Sequence, residues 1–326
     1  MEKDSLLWVE KYRPKNLSEI MSQENNIKFI KKFLTVNKLP HLLLFGSSGT
    51  GKTSAILACA RELNKKNFHS FILELNASEH RGIDVVREKI KDFATTKSMY
   101  DGLKIIILDE ADSMTTIAQS ALRRILEKYS KNVKFCIICN YLNKIIPALQ
   151  SRCIRLKFSQ LLVDDIKTLL LKICDKENLK ISDNVLNGII DLSTGDMRKA
   201  INLLQNIYIQ KNIVTIEDLY NYIGQPTPNT ISLIFDIVNN EKNIKISFDK
   251  INNLINENSL LLSNIITFIH NKLLNIIKNE DTNKYDNSTL LFLFENLADL
   301  EFNLTLDYIP EIQLSYFISI FRILHS

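Results

Sequence analysis

The eight residues "GSSGTGKT", 46–53, fit the pattern G-x-x-x-x-G-K-[ST]. They follow the apolar run "HLLLF" and lead into "TSAILACARELN", which has helical periodicity. That strand-loop-helix context turns the pattern into a statement about phosphate. Backbone N–H groups from Gly46, Ser47, Ser48, Gly49, Thr50 and Gly51 would ring a polyphosphate. The helix start around Ser54 would add its partial positive charge. Lys52 would reach the β- and γ-phosphates, and Thr53 would hold Mg2+.

A second stretch, "IIILDEAD" at 105–112, supports the first. Four apolar residues end in Asp109 and Glu110, at the carboxyl end of a strand, where α/β proteins bind ligands. Asp109 would complete the Mg2+ shell, and Glu110 would orient or deprotonate an attacking water. A GTPase site would want an N-K-x-D guanine reader, and none is read with these motifs, so the expected nucleotide is ATP. Asn140 ends the next strand, "KFCIICN", and could hold that water or the γ-phosphate. Arg198, in "GDMRKAIN", starts a later helix and could reach back onto the nucleotide. Arg152 follows a polar turn in "PALQSRC", and its task is not evident from spacing.

The elements that must hold these residues are legible as patterns. "HLLLFG", "FILELN", "KIIILDE" and "KFCIICN" read as buried strands, with "IRLKF" (154–158) as a fifth. Helical patterns lie between them, which predicts a parallel sheet with helices on both faces. After Phe158 the strand runs stop and four helical patterns follow, with Ser182 and Thr215 as N-caps and Gly224 as a C-terminal stop. "QPTPN" (225–229) breaks the pattern, and the rest reads as helical, with a loop at 279–289. The expected domains are therefore 1–158, 159–226 and 227–326.

A chain of 326 residues with 45% hydrophobic and 24% charged residues is a folded protein of more than one domain. Its net charge of +4 argues no global attraction to nucleic acid, so any such contact must be a local patch. No run of about 18 apolar residues marks a membrane span, and "MEKDSLLWVEKYRP" lacks a signal-peptide core. An intracellular protein with reduced thiols is expected. The five cysteines include "CIIC" at 136–139, which has no second pair to complete a zinc site.

"WVEKYRP", "GTGKTS", "LELNAS" with "RGIDVVR", "KIIILDEADSMT", "AQSALRRILEKYSKNVKFCIICN", "SRC" and "GDMRKAIN" occur in that order. Together they resemble the small subunits of replication factor C, the sliding-clamp loader, which belongs to the AAA+ ATPases. The match is dense over roughly residues 5–225. The resemblance implies an α/β AAA+ P-loop domain, a small helical lid domain and an all-α C-terminal collar domain. It implies that Val9, Tyr12 and Arg13 line the adenine pocket, with Asn140 as sensor 1 and Arg198 as sensor 2. Arg152 would be an arginine finger offered in trans to a neighbour's ATP, with no task in the isolated chain. Ser47 and Ser48 stand where the family usually has two prolines, which suggests a less rigid loop without nucleotide. His80 replaces a usual acidic residue.

The resemblance also implies partners: four sibling subunits in a hetero-pentamer, the sliding clamp and primer–template DNA, in the nucleus and away from membranes. Arg81, Arg87 and Lys91 would track the DNA backbone without reading sequence. Phe93, Met99 and Tyr100, in a stretch expected to be a loop from residue 92, would touch the clamp. The residues alone leave other readings open. One is a nucleotide-bound scaffold that does not hydrolyse; another is a self-assembling helicase or remodeller, for which no pore-loop aromatics are found.

Overall fold

The computed structural model describes residues 7–36, 38–78, 83–96, 102–210, 215–241, 243–278, 286–306 and 309–323. The chain divides into two compact units, Met1–Lys211 and Asn212–Ser326.

In the first unit, α1 (Trp8–Lys11) and α2 (Glu24–Val36) precede an alternation of strand and helix. It runs β1 (Leu42–Phe45), α3 (Lys52–Asn64), β2 (Ile72–Asn76), α4 (Ile83–Thr95), β3 (Lys104–Asp109), α5 (Thr116–Tyr129), β4 (Val133–Cys139), α6 (Pro147–Gln150) and β5 (Ile154–Lys157). The strands form one parallel sheet in the order β2-β3-β4-β1-β5. All five expected strands form, and β3, which ends in Asp109, neighbours β4, which Asn140 directly follows.

Strand residues alternate between faces, and the inner strands are covered on both, so β1 is wholly apolar and β3 and β4 nearly so, while the edge strands β2 and β5 carry Glu74, Arg155 and Lys157. Leu42, Leu44, Ile105, Ile107, Cys136 and Ile138 pack with Ile30 of α2 and Ile56 and Cys59 of α3. Leu43, Ile106, Leu108, Phe135, Ile137 and Cys139 pack with Ile90 of α4 and Leu122 and Leu126 of α5. The two cysteines of "CIIC" therefore sit in opposite core layers. Burial pushes both thiols up, Cys139 to about 12.

His41 ties β1 to β4: its Nδ1 accepts the Phe135 N–H at 3.0 Å. Burial, and secondarily the charge of Lys134, push its pKa down to about 4. The native state thus resists protonation that the unfolded chain accepts near 6.5. The contribution of this group is full above pH 6.5 and falls as pH drops toward 4, by at most about 3 kcal/mol and less to the extent that water screens the half-buried ring. Denaturant titrations of wild type and His41→Gln should diverge in slope across that window. Parallel curves would remove His41 as the cause.

Beyond β5 lie α7 (Val163–Glu177), α8 (Asp183–Ser193) and α9 (Met197–Gln210). Ser182 caps α8 by accepting the Val185 N–H, as its type and position predict. Ile166, Leu170, Ile189 and Leu204 form the buried seam of these helices.

The second unit is all helical: α10 (Ile216–Ile223), α11 (Pro228–Asn240), α12 (Ile244–Glu257), α13 (Leu262–Lys278), α14 (Asn287–Leu304) and α15 (Pro310–Ile323). A capping box between Thr215 and Asp218 opens α10, and Gly224, at φ 67°, ends it. Phe235, Ile251, Ile265, Leu293 and Phe317 centre its core. α14 begins within the stretch expected to be a loop up to residue 289, directly after Asp286. The Asp286 carbonyl accepts the Leu290 N–H at 3.0 Å, and its carboxylate accepts the Ser288 hydroxyl at 2.6 Å. Asp-Asn-Ser-Thr is thus a helix start rather than a loop end. Among the described residues no single helix is long and apolar enough to cross a membrane.

Candidate functional site

The carboxyl ends of β1, β3 and β4 open onto a cavity of about 650 Å³. The loop after β1 reaches it through glycines at φ 63° (Gly49) and 91° (Gly51), values that side chains with a Cβ resist. A Cβ on Gly46 would stand 2.0 Å from the Phe158 carbonyl oxygen, so this glycine lets the loop pass the end of β5.

Lys52 is the first residue of α3 and is buried at 7% exposure. Its Nζ donates to Gly46 O (2.8 Å), Ser47 O (2.7 Å) and Asn140 Oδ1 (3.0 Å). Burial lowers its pKa, against the charge of Asp109. The ammonium is thus held at the loop's mouth by groups that a phosphate oxygen could replace. Thr53 Oγ1 donates to Asp109 Oδ2 at 2.8 Å, and Asp109 Oδ1 accepts the Glu110 N–H at 2.8 Å. Thr53 and Asp109 bring two hard oxygen donors together, the set that suits Mg2+. Glu110 is exposed, lines the same cavity and has a left-handed backbone, φ 54°. The chain turns sharply there, directly after the strand.

The other wall comes from both ends of the unit. Val9, Tyr12 and Arg13 line the cavity, as do Leu169 and Lys176 of α7 and Arg198 and Ile201 of α9. The N-terminal segment is strapped down. Trp8 N–H donates to Gln205 Oε1 at 2.9 Å, Tyr12 donates its hydroxyl to Glu177, and Lys11 pairs with Glu177 at 2.6 Å. Burial, then the hydrogen bond to Glu177, raise the Tyr12 pKa. Two hydrogen bonds involve the loop that Ser47 and Ser48 are expected to make less rigid. Ser48 Oγ donates to Asp196 Oδ2 at 2.5 Å, and Thr50 Oγ1 donates to Ser47 O at 2.9 Å.

Arg152 departs from its expectation of idleness. It follows α6, donates Nη1 to Ala148 O at 2.7 Å and pairs Nη2 with Glu127 Oε1 of α5 at 2.5 Å. It does not line its own chain's cavity. Phe93 also departs. α4 continues to Thr95, and Phe93 packs half-buried against the sheet, with Lys104 Nζ 5.0 Å from its ring centroid. Apolar spacing within "IKDFA" carries the helix past the expected start of the loop. Lys91 is exposed on the same helix, which also carries Arg87. Arg81, His80, Met99 and Tyr100 lie outside the described residues. One N-K-x-D match does occur in the chain, "NKYD" at 283–286. It falls in the second unit, between α13 and α14, and not after a strand of the sheet.

Two family models match. Residues 42–161 match the ATPase family associated with various cellular activities, and residues 163–220 match an RFC1-like AAA+ ATPase lid domain. Probable replication factor C subunit 5 of Dictyostelium discoideum is 43% identical over 98% of this chain and 91% of its own length. Replication factor C subunit 3 of Schizosaccharomyces pombe is 41% identical over 97% and 90%, and subunit 5 of Homo sapiens 42% over 98% and 92%. The chain belongs to the replication factor C subunit family. Its fold is also that of the RuvB Holliday junction branch migration motor of Thermotoga maritima. That likeness has a TM-score of 0.52 at 18% identity, over 69% of this chain and 79% of that one. As a member of an AAA ATPase family, this replication factor C chain binds nucleotide.

Residues that the motifs did not single out complete the frame. Asp112 Oδ2 accepts the N–H groups of Asn140 and Tyr141, both at 3.2 Å. Gln119, 1% exposed, donates to Met114 O and Lys144 O and accepts the Ile146 N–H. Gln150 donates to Leu142 O and Ile145 O. The turn from Asn140 to Arg152 thus has its backbone groups met by two glutamines and an aspartate. Asp112 is a positioning residue for Asn140. Asp112→Ala should lower the maximal ATPase rate about tenfold, the worth of one or two backbone hydrogen bonds, and change ATP affinity less than threefold. Asp112→Asn, which keeps an acceptor oxygen, should lose less than threefold. Equal losses in rate and affinity would show a collapsed site instead.

Proposed function

We propose that this chain is an ATP-hydrolysing subunit of a nuclear clamp loader, which opens a sliding clamp and places it on primer–template DNA. It works with four sibling subunits in a hetero-pentamer, and DNA and clamp stimulate its turnover. The observation that carries the reading is the array of two hydrogen-bonded pairs, Lys52 with Asn140 and Thr53 with Asp109, at the mouth of the phosphate loop. ATP supplies a phosphoanhydride bond that water splits, with ADP leaving from the γ-phosphate, and Mg2+ would screen the charge when bound. Lys52 and the loop amides hold the phosphates, while Thr53 and Asp109 hold the metal. Glu110 takes a proton from the attacking water and Asn140 orients it. Val9, Tyr12 and Arg13 close over the base, and Arg198 senses the phosphates from the lid side. Arg152 serves the neighbouring subunit's nucleotide. Arg81, Arg87 and Lys91 follow the DNA backbone. Met99 and Tyr100, with what Phe93 leaves uncovered, meet the clamp. The division at 158 and 226 into ATPase, lid and collar belongs to the same proposal.

The test is loading of fluorescent clamp onto primed circular DNA by the five-subunit complex, with ATP and with ATPγS. ATP should support loading and release, and omission of this chain should abolish both. Loading that proceeds equally without the chain would sink the reading. Loading that needs the chain while its own site never turns over would leave it a nucleotide-bound scaffold.

A further inference from the structure

Residues 48–49 and 196–197 are in contact beside the cavity, although about 150 positions separate them in the chain. Asp196 Oδ1 accepts the N–H groups of Arg198 (2.9 Å) and Lys199 (3.1 Å), which caps α9. Its other oxygen, Oδ2, accepts the Ser48 hydroxyl at 2.5 Å. Met197 N–H donates to Gly49 O at 3.3 Å. The approach is so close that a Cβ on Gly49 would stand 1.7 Å from Asp196 Oδ1. Ser48, Gly49, Met197 and Arg198 all line the cavity.

A carboxylate beside a polyphosphate site repels the ligand unless its charge is engaged. Here each oxygen has a donor, one from the helix start and one from the phosphate loop. Capping alone would need only one acceptor, and a serine would serve. The second oxygen is what joins the two elements. A hydrogen bond from a hydroxyl to a carboxylate is short and strong for its kind, so a shift of the loop would pull on the helix that carries Arg198 two residues on.

We propose that Ser48 and Asp196 form a clasp through which the phosphate loop sets the position of Arg198, making both of them positioning residues for nucleotide binding. The clasp couples loop and lid: phosphate that orders residues 48–49 also seats α9, and a displaced α9 loosens the loop. The proposal rests on the nucleotide reading of this cavity.

The test is calorimetric titration of the full-length chain with ATP and Mg2+. Ser48→Ala should weaken binding about threefold to tenfold, less than the roughly 10- to 100-fold that a direct hydrogen bond to a charged group is worth, because the clasp acts on ATP only through Arg198. Ser48→Thr, which keeps the hydroxyl, should stay within about twofold of wild type. In an Arg198→Ala background Ser48→Ala should cost less than about twofold, because the group that the clasp positions is gone. An equal loss in both backgrounds, or no loss in either, overturns the clasp. Lys52→Ala separates the two levels: it should weaken ATP about 10- to 100-fold. If Lys52→Ala binds ATP as wild type does, the nucleotide reading fails. If it weakens binding while Ser48 and Arg198 act independently, only the clasp fails.

Discussion

Replacing Arg152 with alanine should slow hydrolysis at one site of the assembled complex by about 10³-fold, the lower end of what a guanidinium supplied in trans contributes. This chain's own ATP affinity should not change, since Arg152 does not line its own cavity. The measurement is single-turnover hydrolysis with primed DNA and clamp, the other sites silenced at their phosphate-loop lysines. The contacts of Arg152 in the isolated chain invite a rival account, in which it only braces the turn after α6. Its partner Glu127 tells the two apart. Their ion pair is partly exposed, with side chains 36% and 43% accessible, and such pairs are worth about 0–1 kcal/mol. A triphosphate could outcompete it. Glu127→Ala should therefore leave hydrolysis near wild type or raise it. If Glu127→Ala slows turnover as much as Arg152→Ala does, the brace is the function and the trans role is wrong. Arg152→Lys should not rescue, because a point charge lacks the planar fork.

The phosphate loop and the β3 carboxylates could be read from sequence because each sits in a contiguous stretch next to the strand that presents it. Eight consecutive residues specify the loop, and the run of isoleucines specifies where Asp109 must stand. The alternation of strand and helix in residues 41–158 was equally plain, since strands buried on both faces show as unbroken apolar runs. The contacts that close the site were not legible. Tyr12 meets Glu177, Ser48 meets Asp196, and Asp112 meets the amides of Asn140 and Tyr141. The partners in each pair are 28 to 165 positions apart, and nothing in residue type selects them. Asp112 was in view within "LDEAD", yet its acceptors face backbone N–H groups, which carry no sequence signal. Phe93 was misplaced because the polar residues around it masked its apolar spacing with Ile90 and Ala94. The start of α14 was misplaced for a similar reason: Asp, Asn, Ser and Thr suit loops and helix caps alike.

Glu110→Gln should produce a chain that binds ATP and barely turns it over. The substitution keeps the size of the side chain and removes its capacity to accept a proton, so the rate should fall about 10²- to 10⁴-fold, the usual worth of a positioned general base. Affinity should stay within about threefold of wild type, because the proposed function assigns phosphate and metal to other groups. Lys52 and the loop amides would take the phosphates, and Thr53 and Asp109, joined at 2.8 Å, would take the metal. Glu110 touches the array only through its own N–H, which Asp109 Oδ1 accepts, and glutamine keeps that bond. Its left-handed backbone, φ 54°, costs of order 1 kcal/mol for a residue with a Cβ, and glutamine bears the same strain, so the fold should not change either. The experiment counts nucleotide on the complex after gel filtration and measures release of phosphate in parallel. ATP retained without turnover assigns the base to Glu110. ATP lost with turnover would place Glu110 in binding instead. Turnover unchanged at the level of the whole complex, with this site's nucleotide never hydrolysed in either form, would mean that the chain holds ATP as a structural ligand and lends its surfaces to its neighbours.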